Sequence, residues 1–243
     1  MVKLKNILFR FIFLIFILFL GDRSFSQENI ANTANANIEI IYSDSYLQDN
    51  NELIIGLKFK LTPGWHIYWK NPGDSGLPIQ IEWDLPEGIE FEEILWPAPE
   101  IAPLDPLTSY GYYDEVILPV RFSIDSNFSF DSRFSALLSF LICEEICVPE
   151  DTNILIDFSK FNQAQLDNAS SILKYWIDKL PIEANFIIQT FQSDNTFKIL
   201  WESNSALDSA YFYPEQNGLI NYSSEQILNE SSDGYFLTID KPD

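Results

Sequence analysis

Short stretches of strict apolar–polar alternation constrain this chain more than any other feature. Leu53, Ile55, Leu57, Phe59 and Leu61 fall on one side of such a stretch, with Lys58 and Lys60 on the other. Ile79, Ile81 and Trp83 repeat the pattern against Gln80 and Glu82. Val116, Leu118, Val120, Phe122 and Ile124 do so against Arg121 and Ser123. Phe134, Ala136, Leu138, Phe140 and Ile142 form a longer run that leads directly into Cys143, and Ile154, Ile156 and Phe158 form another. Residues two apart share a face of a strand, not of a helix. Breaks at Pro72-Gly73, at 86–88 and across the proline-rich 97–106 separate the runs. Short strands without intervening helices predict an all-β fold, an antiparallel β-sandwich, and argue against a βαβ fold.

One helix interrupts the pattern. Ala169, Ile172, Leu173, Trp176, Ile177 and Leu180 follow i, i+3, i+4 spacing, and Pro181 stops the run. Strand patterns then return at 186–191, 197–201, 210–213 and 235–239. The expected organisation is a signal peptide over 1–26 and a flexible leader over 27–37. A β-sandwich domain over 38–160, a helical connector over 161–181 and a second, smaller β-rich unit over 182–243 follow. That last unit has few strands for a closed sandwich.

The first 26 residues have the layout of a secretory signal. Lys3, Lys5 and Arg10 are basic, the following stretch to Leu20 is apolar, and Ser24-Phe25-Ser26 is a small-x-small cleavage site. The apolar core after Arg10 is short for a membrane span, which needs about 20 residues. Cleavage takes away Lys3, Lys5, Arg10 and Arg23 against Asp22 alone. The net charge of the full chain is already −22. Such a surface repels the phosphates of nucleic acids and anionic membranes. The expected product is an exported, soluble protein whose cysteines meet an oxidising compartment.

Cys143 and Cys147 are the only cysteines. On one straight strand, residues four apart lie about 13 Å apart, and on a helix their Cβ atoms are about 6 Å apart. Neither permits a relaxed bridge. A tight turn through Glu144-Glu145-Ile146 does, with Cα atoms about 5 to 6 Å apart. A bridge closing so short a loop stabilises by only about 2 kcal/mol in the chain-entropy model, and a large domain needs no such staple. Redox exchange, a structural disulfide and metal binding all remain open on spacing alone. A Cu(I) or Zn site would need His66, the one histidine, which sits among aromatics in Gly64-Trp65-His66-Ile67-Tyr68-Trp69. From Ser135 to Asn153 there is no Lys or Arg, while Glu144, Glu145, Glu150 and Asp151 are acidic. Nearby negative charge disfavours a thiolate. Such a pair suits a carrier activated on docking.

The segment Cys143…Cys147-Val148-Pro149-Glu150 after an alternating strand resembles the active-site segment of the N-terminal periplasmic domain of DsbD-type thiol:disulfide interchange proteins. Tyr110-Gly111 followed by Val116-Ile117-Leu118-Pro119-Val120 is similar to that family's cap loop and next strand. Gly64 to Gly76, Trp96-Pro97-Ala98-Pro99 and Tyr211-Phe212-Tyr213-Pro214 resemble the ScsB-like branch, so the resemblance spans most of 38–220. It implies that this compartment is the periplasm, and an immunoglobulin-like domain that takes electrons from a membrane-embedded thiol-disulfide donor. It would pass them to periplasmic thioredoxin-like or mis-oxidised proteins through Cys143 and Cys147, as a protein-disulfide reductase without a cofactor. It also implies a cap over 97–113, with Tyr110 or Tyr112 nearest the sulfurs. Three departures stand out. The spacing is C-x3-C where the better-known branch has C-x5-C, and Ser109 stands where its cap carries a bulky aromatic. The membrane and thioredoxin-like parts of that branch have no counterpart here, so the chain reads as a stand-alone relay or a piece of a longer protein. The alternative is a non-enzymatic β-sandwich binding module with a structural disulfide, its groove lined by Trp65, Tyr68, Trp69, Tyr112 and Tyr113. Core packing explains the same aromatics.

Overall fold

The computed structural model describes residues 28–44, 47–48, 51–104, 106–203, 206–232 and 234–242. The expected signal peptide lies outside them. In chain order the first strands are β1 (Ile30–Asn32), β2 (Ala36–Ile41), β3 (Leu47–Gln48), β4 (Glu52–Leu61), β5 (His66–Gly73) and β6 (Gln80–Asp84). Next come β7 (Ile89–Ile94), β8 (Glu100–Leu104), β9 (Leu107–Tyr113), β10 (Glu115–Ile124), β11 (Arg133–Cys143) and β12 (Cys147–Asp157). Helix α1 (Gln163–Ile177) precedes β13 (Ile188–Gln192), β14 (Thr196–Glu202), β15 (Ile227–Ser231) and β16 (Gly234–Asp240).

Two antiparallel sheets face each other. One runs β1-β2-β4-β10-β7, with β3 on β4; the other runs β12-β11-β5-β9-β8, with β6 on β11. The alternating residues named above point inward. Leu53, Ile55, Leu57, Phe59, Leu118 and Phe122 of the first sheet are fully buried against Phe134, Leu138, Phe140 and Ile142 of the second. Phe59 meets Phe140 edge-on across the layers, ring centroids 5.5 Å apart. Each such side chain contributes roughly 1.5–3 kcal/mol through loss of water contact. The fold is an antiparallel sandwich, as the alternation predicts, and immunoglobulin-like, as the resemblance implies.

The N-terminal segment differs from its expectation. Over 28–37, the expected flexible leader, the chain instead forms β1 and the start of β2. Polar bonds hold it where apolar contacts are few. Glu150, buried in β12, accepts from the Asn35 amide at 3.2 Å, from Asn35 Nδ2 at 2.9 Å and from the Thr33 hydroxyl. Asn29 Nδ2 donates to the Asp157 carbonyl, and the Asp157 amide donates to Asn29 Oδ1, both at 2.9 Å.

The Asp157 side chain is itself buried and pairs with Arg133 at 2.6 Å. Burial raises its carboxyl, but the Ser159 hydroxyl and amide and the Arg133 guanidinium outweigh that and hold it below its ordinary value. A carboxyl depressed on folding stabilises fully above its unfolded pKa of about 3.9, and that contribution is lost as pH falls through the lower folded value. Asp157→Asn is expected to lower stability at pH 7 and to flatten the acid limb of a urea-midpoint curve taken from neutrality to about pH 2. An acid limb as steep as that of the parent chain contradicts this role.

Asn162 caps α1 reciprocally with Gln165, each side chain bonding the other's backbone amide at 3.0 Å. Ala169 and Leu173 of the helix pack on Ile41 and Ile117, on the outer face of the first sheet. The remaining strands form a four-stranded antiparallel sheet, β13-β14-β16-β15. Residues 210–213, expected as a strand, are irregular, whereas β15 carries no clear alternation in the sequence. The irregular stretch reaches the sandwich: Tyr211, Tyr213 and Tyr222 surround Tyr110, with ring centroids 6.2, 5.1 and 5.6 Å away.

Candidate redox site

Strands β11 and β12 form one long hairpin, and its ladder ends with Cys143 opposite Cys147. Glu144-Glu145-Ile146 make the turn, and the two cysteines are joined as a disulfide. Their Cα atoms are 4.1 Å apart, closer than the expected 5 to 6 Å. The Glu144 amide bonds the Ile146 carbonyl. That makes the cysteine pair one of the narrow, non-hydrogen-bonded ladder positions, where Cα atoms lie about 4.5 Å apart. The two sulfurs differ in access. Cys143 is 2% exposed, while Cys147 lies open on the outer strand.

The strand that flanks Cys143 is β5. Its His66 pairs with Cys143 on one side and with Tyr113 on the other, and Ile67 pairs with Ile142 and Tyr112. His66 and Tyr68, two apart, therefore share the outer face with the sulfurs. The Tyr68 hydroxyl donates to Cys143 Sγ at 2.9 Å and lies 3.4 Å from Cys147 Sγ. Burial, against an opposing bond with Ser75, raises the Tyr68 hydroxyl above its ordinary pKa, so it remains a proton donor. Gly76 closes over the Tyr68 ring, in the space a Cβ would need. The His66 ring lies 5.2 Å from that of Tyr68 and 5.0 Å from that of Tyr113, and burial lowers its pKa toward the neutral imidazole. Among the described residues no three His, Cys, Asp or Glu side chains gather as a metal site.

The same register corrects the cap. Tyr112 pairs with Ile67, and Tyr110 lies two residues away, so both side chains point into the core and away from the sulfurs. Tyr112 donates to the Pro97 carbonyl at 2.7 Å, and Tyr110 bonds Tyr211 at 3.2 Å. Residues 97–113 are mostly the β8–β9 hairpin, an extension of the sheet and not a flap over the disulfide. The residue against the sulfurs is Tyr68, which sequence reading treated only as one of several aromatics. The aromatic groove of the alternative reading also closes, because Tyr68, Trp69 and Tyr112 are buried.

The profile of the family described as "Thiol:disulfide interchange protein DsbD, N-terminal" matches residues 39–158, which hold the sandwich and the disulfide hairpin. Residues 39–158 thus match a DsbD-type N-terminal domain. Beyond the DsbD-type segment, the fold is similar to the crystal structure of the N-terminal periplasmic domain of ScsB from Proteus mirabilis. The TM-score is 0.67 at 19% identity, over 88% of this chain and 84% of that one. At that identity the likeness speaks for the fold, second β unit included. The Neisseria meningitidis DsbD N-terminal domain in its reduced form matches over 49% of this chain and 83% of that one, at 14% identity and a TM-score of 0.29. No curated protein sequence matches the chain.

Proposed function

We propose that the chain is a periplasmic thiol–disulfide relay in which Cys147 meets partner proteins and Cys143 resolves. The carrying observation is a bridge with one open and one buried sulfur at the tip of a hairpin in a DsbD-type domain. In the reduced form, the Cys147 thiolate attacks one sulfur of a partner disulfide, and the partner's other sulfur leaves as a thiolate that takes up a proton. Cys143 then attacks Cys147 Sγ and expels the partner's remaining thiolate. The partner gains two electrons, and this chain ends with its bridge closed. A membrane-embedded dithiol donor returns the chain to the reduced form, and thioredoxin-like or mis-oxidised proteins take the electrons. The Tyr68 hydroxyl offers the resolving sulfur a hydrogen bond that favours its thiolate. Among the described residues no helix is long and apolar enough to cross a membrane. The likeness to a periplasmic domain favours an exported location.

The test pairs a potential with a stability measurement. The bridge should equilibrate with redox buffers above about −300 mV, the range below which inert structural bridges fall. Cys143→Ser/Cys147→Ser should keep the fold, lose no more than about 2 kcal/mol and abolish exchange. A far lower potential together with an unfolded double variant overturns the relay in favour of a structural bridge.

A further inference from the structure

A groove of about 140 Å³ opens beside the disulfide, walled in part by Leu77, Pro78, Leu141 and Pro149. Its size suits one bulky apolar side chain. Leu141 and Pro149 are cross-strand partners two residues below the cysteine pair, so they project from the same face as the sulfurs. Leu77 is 57% exposed at the rim, and Ile146 is 69% exposed at the turn on the far side of the sulfurs. A single exposed Leu is unremarkable on a protein surface. Here, apolar surface borders the open sulfur on two sides.

The frame around this surface has one sign. Glu144, Glu145 and Asp151 are exposed around it, and Glu82, opposite Leu137 in the ladder, lies on the same face. The bordering segments 64–68, 74–84 and 135–157 contain neither Lys nor Arg. A second copy of this chain brings the same carboxylates and is repelled. We infer that the groove docks a protein partner that presents one bulky apolar side chain next to its own disulfide, flanked by Lys or Arg. The inference rests on the exchange reading above and adds the chemistry of the partner's surface. Opposite charges raise the encounter rate and fix register. The apolar side chain then holds the target sulfur in reach of Cys147.

The test uses the reduced full chain and three synthetic peptides, each carrying one cysteine as a mixed disulfide with a chromogenic thiol. One has Leu and Lys flanks, one Leu and Glu, one Ala and Lys. At low salt the Leu/Lys peptide should react on the order of tenfold faster than Leu/Glu, and the gap should narrow at about 0.5 M salt. Leu77→Gln, at an exposed position, should remove the advantage of Leu over Ala and leave that of Lys over Glu. Glu144→Lys/Glu145→Lys should reverse the charge preference. Equal rates for all three peptides overturn the inference. So does a preference that neither set of substitutions alters. Failure to react with neutral hydroxyethyl disulfide sinks the exchange reading instead, so the two failures are distinguishable.

Discussion

With Cys143 replaced by serine, the remaining Cys147 thiol is expected to react readily with an aromatic disulfide reagent. With Cys147 replaced, the remaining Cys143 should react at least on the order of tenfold more slowly, because thiol reactivity follows access as well as ionisation. The asymmetry comes from packing. Cys143 is buried between the hairpin and β5, under the Tyr68 hydroxyl, while Cys147 faces solvent. Release of the reagent's coloured thiolate in stopped flow gives both rates. The same pair of variants reports on mixed disulfides with a protein. A thioredoxin-like partner should be trapped by the chain that keeps Cys147 and escape the one that keeps Cys143. Equal reagent rates in the two variants remove the assignment of roles and leave the bridge itself untouched.

The second large effect concerns Gly76. Its φ of +103° lies in the region that side-chain-bearing residues avoid, and a Cβ there would sit 2.2 Å from Cε1 of Tyr68. Neither the ring nor the backbone can give easily, since Tyr68 is buried and bonded to the sulfur. Gly76→Ala is therefore expected to cost about 3 kcal/mol. Gly218 supplies the control, because its φ is +72° but nothing lies within 4 Å of the position a Cβ would take. Gly218→Ala should cost only about 1 to 2 kcal/mol, the backbone penalty alone. Urea unfolding of the two variants separates steric from conformational cost. In the Cys147→Ser background, Gly76→Ala should also speed labelling of Cys143, since a displaced Tyr68 no longer covers it. Equal stability losses at the two glycines contradict this account of Tyr68.

The sandwich was legible because its strands are amphipathic. Every second residue of 53–61, 116–124 and 134–142 had to face a core, and parity alone identified which. The cysteine turn was legible because only a hairpin brings residues four apart to bridging distance. The neighbour of the sulfurs was not. Tyr68 meets Cys143 because β5 pairs with β11 only at its tip, through Ile67 and His66. That register is a long-range fact with no trace in either segment. The same register turns Tyr112 inward and defeats the cap. Strand β1 was missed because Asn29, Thr33 and Asn35 hold it through hydrogen bonds to Glu150 and Asp157, which leave no apolar period to read. Residues 210–213 are a run of strand-favouring aromatics after Ala210, yet Tyr211 and Tyr213 pack on Tyr110 from an irregular backbone.

Strand β5 serves two masters. Its first residues flank the disulfide, and its later ones belong to the contact with the irregular segment between β14 and β15, where Asn71 donates to the Pro214 carbonyl at 2.7 Å and to the Tyr222 hydroxyl at 3.2 Å. Lys70 pairs with Glu215, and the Trp69 ring meets Tyr213. A protein engineer who trimmed the chain after residue 160 would bare Trp69 and Tyr110 and strip a buried amide of its acceptors a few residues from the sulfurs. The portable unit for grafting or immobilising the disulfide hairpin is thus the sandwich together with the C-terminal unit, whose segment between β14 and β15 packs on the strand beside the sulfurs.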